Sequence, residues 1–249
     1  MIDIHAHILP GVDDGADSME MALEMAAAAA DSGVRGIAAT PHCSIPGEYQ
    51  NFADASMEER LQRLRNRVKE QKIPIRIYRG MEIFATSELP QQLEDGRVWT
   101  INGTTRFLCE FRFDEDPGFC NRILAACTAW GYQPVIAHPE RYYFVQEDPQ
   151  IAFDWCTRGY ALQINKGSVL GAFGPEEEYM AHSLLHHGLA ACVASDAHKP
   201  QWRSTNMGEV YALLRADYGE EYTWMLTEEN PIRILKGQDL IGYEPIPYT

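Results

Sequence analysis

Two histidines, one residue apart, follow the first apolar run of the chain. Residues 2–4 have the composition of a short buried strand, and His5 and His7 come directly after them. Because alternate residues of a strand point to the same side, the two imidazoles are expected side by side at the strand end. Such a pair can bind one metal ion. Asp13 and Asp14 follow in a glycine-flanked loop, where either carboxylate could reach the same ion or a second one.

Strand and helix patterns alternate about seven times along the chain. The apolar runs that we predict as strands are 2–4, 34–39, 73–78, 106–110, 133–137, 160–164 and 189–194, with helical patterns between them. Their spacing of roughly 25 to 40 residues suits βα units. With 249 residues, 45% of them hydrophobic, the chain can form one sizeable core, and a (β/α) barrel commonly has this length. We therefore predict a single domain over residues 1–249.

Polar residues of metal-binding type stand at the ends of the predicted strands. Six of the seven runs end in His, Asp or Glu, and the remaining one ends in Asn165. Each residue alone could be a solvated strand end or an ordinary buried histidine, but chance would not repeat the pattern so often. Because active sites of parallel barrels lie at the carboxyl ends of the strands, we expect these residues to share one cavity. They are His5, His7, His42, Glu82, Glu110, His138, Asp196 and His198. By contrast, His182, His186 and His187 lie on a predicted surface helix and are expected to face solvent.

The chemistry of this residue set is that of a polynuclear metal site. Imidazole and carboxylate ligands suit divalent manganese, iron, zinc and magnesium. The number of ligands exceeds what one tetrahedral ion needs, so two or three ions with bridging carboxylates fit better. Such a site produces hydroxide from water near neutral pH and can hold an in-line displacement at phosphorus.

Charge and cysteine content narrow the functional classes. The net charge is −15, from 36 acidic and 21 basic residues, which argues against nucleic acid or an anionic membrane as a partner. Bound metal cations would still attract an anionic substrate locally.

The six cysteines have no Cys-x-x-Cys spacing, and most of them are predicted to be small core residues in a reducing cytoplasm. No apolar run is long enough to insert into a membrane.

Several motifs resemble those of the PHP (polymerase and histidinol phosphatase) superfamily. They are IDIHAHILPGVDDG at 2–15, Thr40-Pro41-His42, Glu82, Glu110, IAHPER at 136–141 and VASDAH at 193–198. The similarity is greatest to the bacterial manganese-dependent protein-tyrosine phosphatases of capsular and exopolysaccharide loci, and it runs from Ile2 to about Leu235. It implies an α/β fold of the distorted (β/α)7 TIM-like barrel type with a trinuclear site, in which manganese is the expected metal and iron, zinc and magnesium are alternatives. The implied ligands are His5, His7, Asp14, His42, Glu82, Glu110, His138, Asp196 and His198. Whether Asp13 or Asp14 is the loop ligand stays open.

Phosphate chemistry also needs groups that neutralise the phosphoryl oxygens. Arg141 lies three residues after His138, and Arg203 lies five residues after His198, so both are candidate catalytic phosphate clamps. Asn165 and Ser168 follow the sixth predicted strand and could bind the substrate by hydrogen bonds. A cysteinyl-phosphate mechanism has no motif, because no cysteine is followed by arginine six positions later.

The sequence therefore predicts a metal-dependent phosphomonoesterase that acts on phosphotyrosine in a protein. By resemblance, the substrate is a bacterial tyrosine kinase of polysaccharide synthesis, and a metal-bridging hydroxide attacks phosphorus. One alternative is a small-molecule phosphatase of the histidinol phosphate type. Another is a non-catalytic metal-binding regulatory module, against which the full ligand set and single-domain length argue. A homo-oligomer is compatible with all three.

Aromatic residues near the predicted cavity bear on the choice of substrate. They are Tyr49, Phe52, Phe111, Phe113, Tyr142, Tyr143, Phe144 and Trp202. These rings either pack the loops together or line an entrance that accepts the phenyl ring of phosphotyrosine. A recessed site would favour this long, flat side chain over phosphoserine and over histidinol phosphate.

Overall fold

The computed structural model describes residues 1–242 and 244–248 as an α/β protein with parallel strands. The strands are β1 (Ile2–Ala6), β2 (Gly36–Ala39), β3 (His42–Cys43), β4 (Arg76–Arg79), β5 (Glu82–Phe84), β6 (Arg106–Glu110), β7 (Gln133–Ala137), β8 (Ala161–Asn165) and β9 (Ala190–Ala194). They form a three-stranded sheet in the order β1-β2-β4 and a six-stranded sheet in the order β3-β5-β6-β7-β8-β9.

Helices separate most of the strands along the chain, except β2 from β3 and β4 from β5. They are α1 (Met19–Asp31), α2 (Ala55–Glu70), α3 (Leu89–Glu94), α4 (Pro117–Ala129), α5 (Tyr143–Glu147), α6 (Gln150–Thr157), α7 (Lys166–Val169), α8 (Pro175–His186), α9 (Gly208–Tyr218), α10 (Glu220–Trp224) and α11 (Asn230–Lys236), with a π-helical turn at Met225–Glu229. Apolar faces dock the longer helices: α2 buries Met57, Leu61, Leu64 and Val68, which recur every three or four residues. In the described residues, no helix is both long and apolar enough to cross a membrane.

Two of the seven predicted strands are interrupted, which is why the structure has nine. The run 34–39 continues after Pro41 as β3, and the run 73–78 continues after Gly80 as β5. Proline has no N–H for the strand ladder. A Cβ on Gly80 would lie 3.0 Å from the methyl carbon of Thr40, so the two interruptions pack tightly against each other. They also keep register, because Ala39 pairs with Arg79 and His42 pairs with Glu82.

The outer strands of the two sheets meet next to the histidine pair. The N–H of Asp196 donates to the carbonyl of His5 over 2.9 Å, and the N–H of His7 donates to the carbonyl of Ala197 over 2.8 Å. These bonds place the end of β1 beside the loop that follows β9. As a result, the motifs at the two ends of the sequence lie side by side at the carboxyl ends of the strands.

The prediction that His182, His186 and His187 face solvent is wrong for two of them, of which His182 lies in α8 and His187 directly follows it. His186 is exposed, but His182 and His187 are half-buried. Nδ1 of His182 lies 2.6 Å from the hydroxyl of Tyr218, and Nδ1 of His187 lies 2.8 Å from the carbonyl of Ile246. Helix α9 and the C-terminal segment therefore cover part of this surface, which the pattern of α8 alone could not show.

Candidate metal centre

All nine predicted ligands converge at the carboxyl ends of the strands. They are His5, His7, Asp14, His42, Glu82, Glu110, His138, Asp196 and His198. Most are buried, whereas the side chain of Asp14 is 51% exposed and that of His42 is 15% exposed. The cluster therefore lies inside the protein but opens to solvent on the side of Asp14 and His42.

Three overlapping groups of side chains could each hold an ion. The groups are His5, His7, Glu82 and Asp196; His42, Glu82 and Glu110; and His7, Asp14, His42 and His198. Within each group, the candidate ligand atoms lie within 4.8 Å of one another. His7, His42 and Glu82 each belong to two groups, so the three groups form one continuous cluster. Nε2 of His138 lies 2.9 Å from Glu82 Oε1 and 3.8 Å from Glu110 Oε2, beside the second group.

The two adjacent aspartates of the opening loop have different surroundings. Asp13 accepts hydrogen bonds from Nδ1 of His7 over 2.7 Å and from the N–H of His42 over 2.9 Å. Oδ1 of Asp14 instead lies 3.4 Å from Nε2 of His198 and 3.6 Å from Nε2 of His42. Asp13 thus orients His7 through the ring nitrogen that points away from the cluster, whereas Asp14 faces the cluster. The carboxylate chosen by resemblance is the one that the geometry favours.

A chain of three hydrogen bonds fixes the orientation of His5. Asn165 Nδ2 donates to Asp196 Oδ2 over 2.6 Å, and Gln163 Nε2 donates to Asn165 Oδ1 over 2.9 Å. Gln163 Oε1 then lies 2.7 Å from Nδ1 of His5. An ionised carboxylate can only accept, so the direction of the chain is set, and Nδ1 of His5 is the donor. In the neutral imidazole, the other nitrogen, Nε2, therefore presents its lone pair to the cluster, as metal-binding histidines require.

Several polar atoms at the centre lack hydrogen-bond partners. The Nε2 atoms of His5 and His7 lie 3.3 Å apart, with Asp196 Oδ1 at 3.4 Å from the first and 3.5 Å from the second. Asp196 Oδ1, His42 Nδ1 and His138 Nδ1 are buried without a hydrogen bond in the described part of the chain. Such unpaired atoms are rare in folded proteins. Divalent cations would supply the missing partners, and the donor set suits them.

The charges of the cluster shift its pKa values in opposite directions. Burial lowers the pKa of His42, but Glu82 and Glu110 outweigh burial and raise it to about 10. Burial raises the pKa of Glu82, but His5 and His42 hold it well below its usual range. Without a cation, Glu82 therefore stays ionised and His42 keeps a proton. A bound metal ion would have to displace such protons.

Two arginines stand together beside Asp196. Nη1 of Arg141 lies 3.6 Å from Asp196 Oδ2, and Nη2 of Arg203 contacts the same oxygen. Nε of Arg203 also donates to the carbonyl of Asp196 over 3.2 Å. Both guanidinium groups lie over the ring of Phe173, at 4.8 and 5.6 Å from its centre. The two predicted clamps are thus brought together, and Phe113 lies under Arg141 at 4.6 Å.

Asn165 and Ser168 are not placed where a substrate can reach them in this structure. Both side chains are fully buried. The amide of Asn165 is bonded to Gln163 and Asp196, and Oγ of Ser168 donates to Glu140 Oε1 over 2.7 Å. This geometry favours a supporting role over the predicted contact with the substrate.

Three supporting residues were not singled out as such from the sequence: Gln163, Glu140 and Asp13. Gln163 lies two residues before Asn165 on β8, so strand alternation points both side chains to the same side. A glutamine inside an otherwise apolar strand was an available signal, because buried polar residues need a partner. Glu140, within the IAHPER motif, accepts the N–H of Asn165 over 2.9 Å.

Five of the eight aromatic residues predicted near the cavity fall into two classes. Phe111, Tyr142 and Phe144 are buried and pack the loops. Phe113 and Tyr143 instead line a groove of about 450 Å³ that begins at His42 and Glu110 and also includes Ile45 and Phe84. The N–H of Tyr143 donates to the carbonyl of Phe113 over 2.9 Å, which holds the two rings together. We refer to the space lined by Ile45, Phe84, Phe113 and Tyr143 as the aromatic groove.

Fold and site together define a parallel α/β protein with a polynuclear metal-type cluster at the strand ends. The chain belongs to the family described as capsular polysaccharide synthesis, CpsB/CapC, whose model matches residues 1–236. It is 37% identical to the tyrosine-protein phosphatase YwqE of Bacillus subtilis over 99% of this chain and 96% of the relative. It is 31% identical to the tyrosine-protein phosphatase CpsB of Streptococcus pneumoniae over 96% and 99%.

Solved structures agree with this assignment. The chain matches a structure from a study of YwqE and CpsB, described as unique metal-dependent tyrosine phosphatases, with a TM-score of 0.93, 36% identity and complete coverage of both chains. A histidinol phosphate phosphatase from Lactococcus lactis matches with a TM-score of 0.50 and 17% identity over 78% of this chain and 83% of the other, which shows a shared fold alone. The resemblance inferred from the motifs is therefore confirmed.

Proposed function

We propose that this protein is a metal-dependent protein-tyrosine phosphatase. The observation that carries the proposal is the set of three overlapping ligand groups at one opening, with two arginines beside it. The relatives named as tyrosine-protein phosphatases, which match over almost the whole chain, support the same activity. The substrate that we propose is phosphotyrosine in a protein, and a bacterial tyrosine kinase of polysaccharide synthesis is the proposed partner.

The residues present fit two or three divalent ions, with manganese as the first choice. We assign the binding to His5, His7, Asp14, His42, Glu82, Glu110, His138, Asp196 and His198. Bound there, divalent ions would activate water as a nucleophile near neutral pH and withdraw charge from the phosphoryl oxygens. Asp13 and Gln163 keep His7 and His5 in the tautomer that presents Nε2 to the cluster.

The protein groups that we assign to the phosphoryl group are the two arginines. In this structure Arg141 and Arg203 have Asp196 as their anionic neighbour. Their planar guanidinium groups can donate pairs of hydrogen bonds to phosphate oxygens and neutralise the charge that spreads over them in the transition state. Since the aromatic groove starts at the cluster, the ring of phosphotyrosine would lie along Phe113 and Tyr143 while its phosphate reaches the arginines.

The wider assignments stay proposals as well. We propose that the two sheets form one distorted seven-stranded barrel. The strand register is the same on both sides of the two interruptions, and hydrogen bonds join the end of β1 to the loop after β9. Both observations support that description. A single domain and a cytoplasmic location are the matching expectations for the whole chain. The free cysteines, five of them buried, agree with their predicted role in the core.

Metal analysis combined with three parallel kinetic assays tests the function. The purified protein is analysed for bound transition metals, then assayed with a phosphotyrosine peptide, the matched phosphoserine peptide and histidinol phosphate. We expect two or three ions per chain, loss of turnover with a chelator, and the highest kcat/KM for phosphotyrosine. Preference for histidinol phosphate would support the small-molecule alternative. Metal binding without turnover of any phosphomonoester would support a non-catalytic module.

A further inference from the structure

A cationic groove lies at the end of the molecule opposite the candidate metal centre. It has a volume of about 690 Å³, and its basic side chains are Arg35, Arg65, Lys69 and Arg76. Arg35 and Arg76 stand at the amino ends of β2 and β4, where Gly36 pairs with Arg76. The metal-type residues lie beyond the carboxyl ends of the same two strands. A molecule in this groove would therefore leave the candidate centre accessible.

Most of the residues that line the groove belong to a segment whose charge is opposite to that of the rest of the chain. Residues 58–79 contain eight of the 21 basic residues and only three of the 36 acidic ones. The remaining sequence has 13 basic and 33 acidic residues. Because most of the surface repels anions, this segment concentrates the attraction for an acidic partner in one place.

The basic side chains inside and outside the groove differ in their pairing. Outside it, Arg63 lies 3.9 Å from Glu59, Arg67 lies 3.6 Å from Glu70, and Arg79 lies 3.9 Å from Glu58. Inside it, Arg35 is paired with Glu228. Lys69 and Arg76 are exposed and make no ion pair with any residue that the structure describes. Arg65 donates through Nε to the carbonyl of Ile77 over 3.0 Å, which leaves the rest of its guanidinium group facing the groove.

The floor of the groove is apolar and concave. Val68, Ile73, Ile75 and Ile77 line it, and Tyr78 lies beneath the guanidinium group of Arg76 at 5.1 Å from the ring centre. An apolar floor with a cationic rim fits a peptide that carries both carboxylates and apolar side chains. A flat membrane surface could not follow the concave floor, and it would approach a chain of net charge −15.

We propose that this groove binds an acidic segment of a protein partner. Carboxylates of the segment pair with Lys69, Arg76 and the accessible part of Arg65, and its apolar side chains cover the isoleucines of the floor. This binding does not depend on phosphatase activity. It gives the protein a second contact with a partner, at the end of the sheet opposite its candidate metal centre.

Fluorescence anisotropy with a defined peptide tests the proposal on the full-length, metal-loaded protein. The probe is a fluorescein-labelled peptide of four Glu-Glu-Leu repeats, and the same repeat with lysine in place of glutamate is the probe control. The groove variant is Lys69→Glu/Arg76→Glu. The matched control is Arg63→Glu/Arg67→Glu, which makes the same charge change at exposed positions of α2 outside the groove. Thermal unfolding confirms that both variants fold.

We expect the glutamate peptide to bind at about 50 mM salt and to weaken as the salt screens the charges. The groove variant should raise its Kd by about tenfold or more, whereas the control variant should change it by less than about threefold. Turnover of para-nitrophenyl phosphate should be the same in all three proteins. Absence of peptide binding, or equal weakening by both variants, would overturn the proposal. The proposal would also be overturned if the protein bound phosphatidylglycerol vesicles and not the peptide, and if only the groove variant abolished the binding to vesicles.

Discussion

Asp13 accepts a hydrogen bond of 2.7 Å from Nδ1 of His7, while the adjacent Asp14 faces His198 and His42. The two neighbouring carboxylates thus have separate roles: Asp13 supports the candidate ligand His7, and Asp14 is itself part of the cluster. Gly15 makes this arrangement possible, because a Cβ there would lie 2.0 Å from the carbonyl oxygen of His7. The loop therefore cannot tolerate a side chain at Gly15 without moving His7.

The two aspartates should respond differently to substitution. We expect Asp14→Ala to lower the number of bound ions, because it removes a ligand of the group formed with His7, His42 and His198. Asp13→Asn should keep the number of ions at saturating metal but weaken their affinity by about 10- to 100-fold, as loss of an orienting partner does. Metal analysis after equilibrium dialysis at several metal concentrations distinguishes the two. The assignment is wrong if Asp13→Asn lowers the saturating stoichiometry and Asp14→Ala does not.

The arginines should also be separable. Arg141→Ala is expected to keep the metals and to lower kcat by about 100-fold or more, because it removes a donor to the developing charge. Arg203→Ala should lower both turnover and metal affinity, since Arg203 also binds the carbonyl of the candidate ligand Asp196. Cys43→Ser serves as the control, because Cys43 adjoins His42 but its thiol is buried, and burial raises its pKa to about 12. Loss of activity in Cys43→Ser with metals intact would point to a different mechanism.

Asn165 provides a test of supporting role against substrate contact. Its side chain links Gln163 to Asp196, so Asn165→Leu interrupts the chain that orients His5. We expect weaker metal binding by about 10-fold or more and a lower kcat at subsaturating metal, with recovery when metal is added in excess. A rise in KM with unchanged metal affinity would instead restore the predicted role of Asn165 in substrate binding. Ser168→Ala, which removes the bond to Glu140, should lower metal affinity less than Asn165→Leu does.

The pKa of His42, raised to about 10 chiefly by Glu82 and Glu110 against the effect of burial, predicts a pH-dependent metal affinity. Metal binding requires neutral imidazole, so the affinity should fall as the pH drops below about 10, where His42 holds a proton. Addition of Mn²⁺ to metal-free protein at neutral pH should release protons, which an unbuffered titration measures directly. Failure to release protons while metal binds would contradict the assignment of His42.

The same shift predicts how the stability of the metal-free protein depends on pH. The pKa of His42 is higher in the folded state than its ordinary value of 6.5. Its contribution to stability is therefore fully present below pH 6.5 and is lost as the pH rises through about 10. The metal-free protein should lose this stabilisation over that range, whereas the metal-loaded protein should not. Urea unfolding of both forms at several pH values measures the difference.

Much of the site was predictable because strand ends concentrate functional residues. His42, Glu82 and Glu110 follow apolar runs in the sequence, and parallel strands bring their ends together. Strand alternation likewise predicted that His5 and His7 would be neighbours. The seven-fold alternation of strands and helices gave the α/β class, which the structure confirms.

The parts that could not be predicted depend on contacts between distant segments. The close packing of Gly80 against Thr40 joins the interruptions of two strands that are distant in the sequence, and no local pattern reveals it. The burial of Asn165 depends on its bond to Asp196, thirty-one residues later. Likewise, sequence position alone could not show that Phe111 packs inside while Phe113 faces the groove, although both follow the same strand.

The aromatic groove predicts how the protein selects its substrate. The ring of Phe113 lies 4.6 Å from the guanidinium group of Arg141 and 6.4 Å from the ring of Tyr143, and it lines the groove that begins at the cluster. A phenyl ring placed there gains apolar contact that the short side chain of phosphoserine cannot reach. We expect Phe113→Ala to raise KM for a phosphotyrosine peptide by about 10-fold, the effect of losing one aromatic contact. Its kcat should change less, because the metal ligands remain.

Tyr143→Ala should have a smaller effect in the same direction, since that side chain is 53% exposed. Tyr179→Ala is the matched control, because Tyr179 is a 74% exposed aromatic residue that does not line this groove. Steady-state kinetics on phosphotyrosine and phosphoserine peptides of the same sequence measure the preference. Phe113→Ala should reduce the ratio of the two kcat/KM values, and the control should leave it unchanged. If Phe113→Ala lowers turnover of both peptides equally, Phe113 supports Arg141 and does not select the phenyl ring.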